Sequence, residues 1–513
     1  MNTTQYDELY VISDLHMGGR PGFQIMNRGG RLGSFIRQLA VQPSPETGRR
    51  VGLVINGDVI DTLAEDFDGY IAVANAVQIL ERLFRDEAFA PVWSALATFV
   101  RQPRRRLVLV TGNHDIELAL PAVQHAIRYR LAGDDEAAAG RIEFAVEGTG
   151  YSCVVGNVRI FCTHGNEVDA WNLVNHEALC RLVRDQNAGM PFKAAAWTPN
   201  AGTRLVRDVM NEVKSQRPWV DLLKPEKNVV LGVLLTIDPA VVRKVLALLP
   251  IAVVRGLGEL ERWGILSAES GVPGTPGDAP GMWGQAVGPR LQRLIDGVES
   301  GDAIARPELA VAGIDPMLLD IERQFASGIV PASTREEPIG TLGWPGMVLD
   351  RLQSVDKVEA LRRALLDWHD DDHGFDLTHQ DETYRRTLAG VGPEIDVIVT
   401  GHTHLERAII SARRAYYNTG TWIRVIRFPP VTLKDASQFA NLYALLDRAR
   451  LADLDNATVT GADGAVIPLV ADVTTALQIT ASGDAVRACL GHVVGDASES
   501  RFVHIENSEF QRV

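Results

Sequence analysis

Five short stretches of this sequence join an apolar run to side chains that bind metals. "LYVISDLH" ends in Asp14 and His16, and "VGLVINGDVID" ends in Asp58 with Asp61 behind it. "RLVLVTGNHD" ends in Asn113, His114 and Asp115; "VRIFCTHGN" ends in His164; "IDVIVTGHTH" ends in His402 and His404. Hard oxygen donors and imidazoles are the set that suits divalent first-row metals. A lone Gly-Asn-His-Asp would also read as a polar turn, because Gly and Asn favour turns. Recurrence after five apolar runs favours a shared site, since folding alone gains nothing from buried carboxylates and imidazoles.

Apolar runs of this kind suit strands covered on both faces. In open sheets ligands gather beyond the carboxyl ends of the strands, so residues distant in sequence converge there. Asp14 and His16 are two apart, as are His402 and His404, and strand-like i, i+2 side chains share a side. Each pair is therefore expected to grip one centre. Glycines at 57, 112, 165 and 401 stand beside the ligand-type residues, where the backbone can turn sharply or approach a neighbour closely.

In this order, "DLH", "GDVID", "GNHD", "THGN" and "GHTH" resemble the motifs of the calcineurin-like metallophosphoesterases. The resemblance covers about 7–172 and 393–427. It implies an α/β fold, a four-layer α/β/β/α sandwich, and a centre of two divalent metal ions. One ion would be held by Asp14, His16, Asp58 and His404, and the other by Asp58, Asn113, His164 and His402, with Asp58 as the bridge. Mixed oxygen and imidazole ligation without thiolate favours manganese or iron, with zinc as the alternative. The implied reaction is attack of a metal-bound hydroxide on phosphorus. His114 would assist the leaving group as general acid or transition-state stabiliser, with Asp115 orienting its imidazole. Asp115 as a simple helix cap before "IELALPAVQHAIRYRL" is the competing expectation. Asp61 is expected to support the site from behind the ligands.

Four segments follow from this reading. Residues 1–172 and 393–429 are the two parts of the phosphoesterase core, 173–392 a mainly helical cap inserted between them, and 430–513 a C-terminal accessory region. The insertion carries helical patterns such as "NHEALCRLVRD" and "GTRLVRDVMNEVKSQ" and a Gly/Pro-rich loop at 267–284. From Val229 to Val254 only Asp238, Arg243 and Lys244 are charged. Those central charges argue against a membrane span and leave either two buried helices or an apolar lid in peripheral contact with lipid. "RPWVDLLKPEK" reads as a surface loop, or as basic and aromatic groups for a substrate phosphate. "HDDDHGFDLTH", with His369, His373 and His379, reads as a solvated acidic turn or an additional cation site.

Composition sets the surroundings. With 513 residues, 46% hydrophobic and 23% charged, the chain has the make-up of a globular protein. A net charge of −14 argues against a nucleic-acid-coating surface. The first strand begins almost at the N-terminus, which points to a cytoplasmic enzyme. Cys153, Cys162, Cys180 and Cys489 have no paired spacing and are expected as free thiols. The preferred function is a phosphodiesterase or pyrophosphatase acting on a phosphorylated small molecule or a lipid-linked substrate. The insertion resembles, at greater length, that of UDP-2,3-diacylglucosamine pyrophosphatases, which usually carry Arg where this chain has His114. A nuclease of the same superfamily is the alternative, and a non-catalytic scaffold ranks third.

Overall fold

The computed structural model describes residues 4–193, 197–224, 375–461 and 464–512, with six further positions between 358 and 366. The apolar segment Val229–Val254, the loop 267–284, and His369 and His373 lie outside the described residues. So does most of the expected insertion.

Two stacked sheets form the frame, and period-2 alternation in the apolar runs explains how. The larger sheet runs, in spatial order, Ser500–His504, Ala485–Gly495, Thr475–Ser482, Glu8–Ile12, Val51–Asn56, Arg105–Val110, Ile142–Ala145, with Phe510–Arg512 also paired to Ala485–Gly495. The four strands from Glu8–Ile12 to Ile142–Ala145 are parallel, while the C-terminal strands join antiparallel. Leu9, Val11, Val54 and Val108 face a core shared with the second sheet, and Tyr10, Ile12, Leu53, Ile55, Leu107 and Leu109 face helices on the other side. A strand apolar on both faces is thus covered on both faces. The covering helices are Gly29–Val41, Ala76–Arg85, Ala90–Arg101 and Pro121–Ala132.

The second sheet runs Thr4–Tyr6, Tyr151–Val155, Val158–Cys162, Val397–Thr400, Ala415–Thr419, Glu406–Ile410. Val158–Cys162 pairs in parallel with Val397–Thr400, so the two segments on either side of the insertion are sheet neighbours. Tyr384, on the helix Glu382–Gly390, packs edge-on against Tyr416 of this sheet, with ring centroids 5.0 Å apart. The architecture is the α/β sandwich expected from the sequence.

The C-terminal segment differs from the accessory region expected at 430–513. Thr475–Ser482 pairs with Glu8–Ile12 in the centre of the larger sheet, and Leu477, Ile479, Ala488 and Leu490 complete the core between the sheets. Ser482 pairs with Ala485 across a two-residue loop whose first residue, Gly483, has φ +60°. Gly at that position suits a tight hairpin, and Gly-Asp between the two apolar runs of "TALQITASGDAVRACL" is its mark in the sequence. Residues between 425 and 470 instead share an apolar cluster with Val209, Met210, Trp219 and Leu223 from the start of the insertion.

The four cysteines are free thiols. Among the described residues no helix is long and apolar enough to cross a membrane.

Candidate metal centre

Every ligand-type residue stands just beyond the end of a strand of the two sheets. The strands end at Ile12, Asn56, Val110, Cys162 and Thr400, and the loops that follow are laced together. Asp14 donates its backbone N–H to the Gly57 carbonyl (3.1 Å), His16 to Asp58 (2.9 Å), and Gly401 to His164 (2.8 Å). Among the described residues seven non-glycine positions have positive φ, and five of them are Asp14, His16, Asp58, His402 and His404. The expected reason for the two i, i+2 pairs therefore changes. Both members of each pair are left-handed residues beyond the strand end, so they do not alternate along it. Such residues cost roughly 1–3 kcal/mol each and persist where surrounding structure over-determines them.

Two glycines have steric reasons to be there. A Cβ at Gly112 would lie 2.1 Å from Asp58 Oδ1, and one at Gly57, where φ is +88°, 2.1 Å from His164 Nδ1. Any side chain at either place would displace the neighbouring donor.

Asp14, His16, Asp58 and His404 offer ligand atoms that all lie within 4.8 Å of one another, and all four residues are buried. His404 Nε2 is 3.2 Å from Asp14 Oδ1 and 3.2 Å from His16 Nε2. Asp58 Oδ2 faces two ways, 3.5 Å from His16 Nε2 and 3.1 Å from His164 Nε2. The other expected group is brought together less completely. His164 and Asp58 touch, and Asn113 is buried with its Oδ1 unbonded. The rings of His164 and His402 are 5.4 Å apart between centroids, while His402 Nε2 bonds Asp169 Oδ2 at 2.8 Å.

His114 is not partnered by Asp115, contrary to the expectation from sequence. Asp115 is buried, and its carboxylate accepts the backbone N–H groups of Gly112 and Val59, both at 2.7 Å. It staples the "GNHD" loop to the "GDVID" loop, and its side chain does not cap the short helix at Ile116–Ala119 either. Burial, reinforced by the charge of Asp58, pushes it up to about 8. The partner of His114 is Asp61, whose Oδ1 lies 2.9 Å from His114 Nδ1. Asp61 Oδ2 also lies 3.4 Å from His16 Nδ1, so one buried carboxylate serves two imidazoles. Asp61 stands three residues after Asp58 in "GDVID", whereas Asp115 adjoins His114 along the chain but turns to the Gly112 and Val59 N–H groups.

Charge in the pocket favours a cation. Burial opposes ionisation of Asp58, but the imidazoles of His164, His114 and His16 outweigh it and hold the carboxyl well below the usual range. Asp61 is held low in the same way, by His114 and His16. Burial would lower His164, yet Asp58 and Asp14 draw it up to about 10, so the carboxylates hold a proton there that a bound cation would displace. Burial and then the Lys224 ammonium push His404 down to about 3, which leaves the neutral ring that a ligand must be. Asn113 Oδ1 is buried without a hydrogen bond, and His164 Nε2 faces the Asp58 carboxylate at 3.1 Å. Buried polar atoms are normally paired, so an orphaned amide oxygen beside clustered carboxylates and imidazoles fits divalent cations.

Residues outside the motifs support the loops. Asn418 is buried and donates from Nδ2 to the Gly401 carbonyl (2.7 Å) and Thr403 Oγ1 (3.0 Å). Thr421 Oγ1 donates to the Asp14 carbonyl at 2.9 Å. "RPWVDLL" with Lys224 is not a surface loop: Trp219 and Lys224 are both buried.

The calcineurin-like phosphoesterase family matches residues 8–246. No curated protein and no solved structure matches the chain. The matched range holds four of the five motifs and ends before "GHTH", so His402 and His404 join the site through the fold rather than through the match.

Proposed function

We propose that this chain, whose residues 8–246 match the calcineurin-like phosphoesterases, a family of phosphoester hydrolases, hydrolyses phosphodiester or pyrophosphate bonds at a dinuclear centre. The observation that carries this reading is the buried convergence of Asp14, His16, Asp58 and His404 within 4.8 Å. Asp14, His16, Asp58 and His404 would hold one ion, and Asp58, Asn113, His164 and His402 the other. The two-way facing of Asp58 Oδ2 suits a bridging carboxylate. Divalent cations bound there, manganese or iron by donor type, would supply Lewis acidity and a water of lowered pKa.

The chain's own part of the chemistry is proton handling and position. Asp61, being ionised, can only accept, so His114 donates from Nδ1. That fixes the ring and leaves Nε2 to deliver a proton to the leaving oxygen as the phosphorus–oxygen bond breaks. Asp61 stabilises the imidazolium before transfer, in the manner of a carboxylate behind a catalytic histidine. The segment between the motifs, 173–392, would act as a cap that contacts the substrate beyond the phosphate. Contacts on both sides of phosphorus favour diesters and pyrophosphates over monoesters.

The test is metal analysis followed by a substrate panel. Purified protein should carry about two divalent ions per chain, and Asp58→Ala should lose both ions and turnover. Assayed with manganese, aryl phosphodiesters and nucleotide- or lipid-linked pyrophosphates should exceed aryl monoesters. Efficient, salt-resistant cutting of nucleic acid with no activity on small diesters would replace this reading by a nuclease.

A further inference from the structure

Asp169, outside the five motifs, makes a short side-chain contact with His402, a candidate ligand of the second group. It follows His164 by five residues, at the end of the short helix Asn166–Val168. Its Oδ2 lies 2.8 Å from His402 Nε2 and accepts Asn172 Nδ2–H at 2.8 Å, while Oδ1 accepts the Trp171 N–H at 2.9 Å. The side chain is buried, as is most of His402, and the contact joins loops 233 residues apart in sequence.

A carboxylate only accepts hydrogen bonds, so His402 Nε2 must carry the proton at this contact. The lone pair of the neutral ring is then on Nδ1. His164 is fixed in the opposite sense, because its Nδ1 donates to the Asn56 carbonyl at 2.7 Å and leaves Nε2 toward Asp58. Carboxylates behind a ligand imidazole set its tautomer, orient its ring and raise its basicity.

We propose that Asp169 is the positioning residue of His402, holding Nε2–H so that Nδ1 is the atom offered to the second ion. The same carboxylate ties the centre to the insertion. Asp169 orders Trp171 and Asn172, and the Trp171 carbonyl accepts the backbone N–H of Gly202, in the helix Ala201–Leu205, at 2.8 Å. This inference rests on the two-ion reading above.

The experiment is equilibrium dialysis of the full chain against buffered manganese, with ions per chain counted and the electron paramagnetic resonance spectrum recorded. No substrate is present. Wild type should take two ions and give a coupled-pair signal. Asp169→Ala should keep the first ion, bind the second about 10- to 100-fold more weakly and give an isolated-ion signal at intermediate manganese. Asp169→Asn, whose Oδ1 can still accept from Nε2–H, should fall between the two. It decides the matter should Asp169→Ala melt early. Wild type taking fewer than two ions would sink the two-ion reading itself. Two ions in wild type, with variants that bind both at wild-type affinity or weaken both equally, would overturn the role of Asp169.

Discussion

Asp61→Asn tests the proton-handling half of the mechanism. An asparagine can keep its side-chain oxygen within reach of His114 Nδ1, at 2.9 Å in the wild-type pair, so the ring stays oriented while the carboxylate charge is lost. What disappears is the charged component of a buried hydrogen bond. Hydrogen bonds to charged groups contribute about 1.5–3 kcal/mol, so turnover should fall by about 10- to 150-fold at about 1.4 kcal/mol per tenfold. The assay is single-turnover hydrolysis of aryl phosphodiesters under saturating manganese, with occupancy measured in the same samples because Asp61 also lies 3.4 Å from His16. If His114 protonates the leaving oxygen, the deficit should widen as the leaving group becomes more basic. Asp61→Leu, which removes orientation as well, should be slower still. Unchanged turnover in Asp61→Asn at full occupancy, or a deficit equal for good and poor leaving groups, would refute the assignment of Asp61 and His114 as an acid pair.

Three further outcomes follow from other contacts. Asp115→Asn should lower the melting temperature, because its amide cannot accept both the Gly112 and Val59 N–H groups; an orphaned buried N–H costs about 1–3 kcal/mol, and leaving-group dependence should stay that of wild type. Gly57→Ala should reduce occupancy more at the second ion than at the first, since its Cβ would sit 2.1 Å from His164 Nδ1; two ions at wild-type affinity would contradict the packing argument. His492→Gln should destabilise the fold at pH 6 and have little effect at pH 8.5. The hydrogen bond to Glu406, 2.8 Å away, raises His492 above its ordinary 6.5. That stabilisation is full below 6.5 and lost as pH rises through the raised value, and with a third of the side chain exposed it should amount to less than about 1 kcal/mol, read as a shift in thermal midpoint.

Ligand-type residues were legible because they oppose folding. Asp14, His16, Asp58, His402 and His404 are buried or nearly so, left-handed and charged or polar, a combination that no requirement of a sandwich core would select. They stand out at the ends of runs whose own pattern, apolar on both faces, already declares parallel strands. What the sequence concealed depends on contacts between distant segments. Asp61 and Asp115 are both three residues from a ligand-type residue or closer, and local spacing does not say which carboxylate reaches the His114 ring. Asp169 looks like one of many surface acids until the fold sets its loop beside "GHTH", and Thr475–Ser482 resembles an accessory strand until Leu477 and Ile479 are seen to close the inner core. The same distinction explains how the site can carry its strain. Five left-handed ligands at roughly 1–3 kcal/mol each are held by loops that bond one another, by the Asp115 staple and by Asn418 behind "GHTH". The residues that do the chemistry are written locally in the sequence, while those that make the arrangement bearable are written across its whole length.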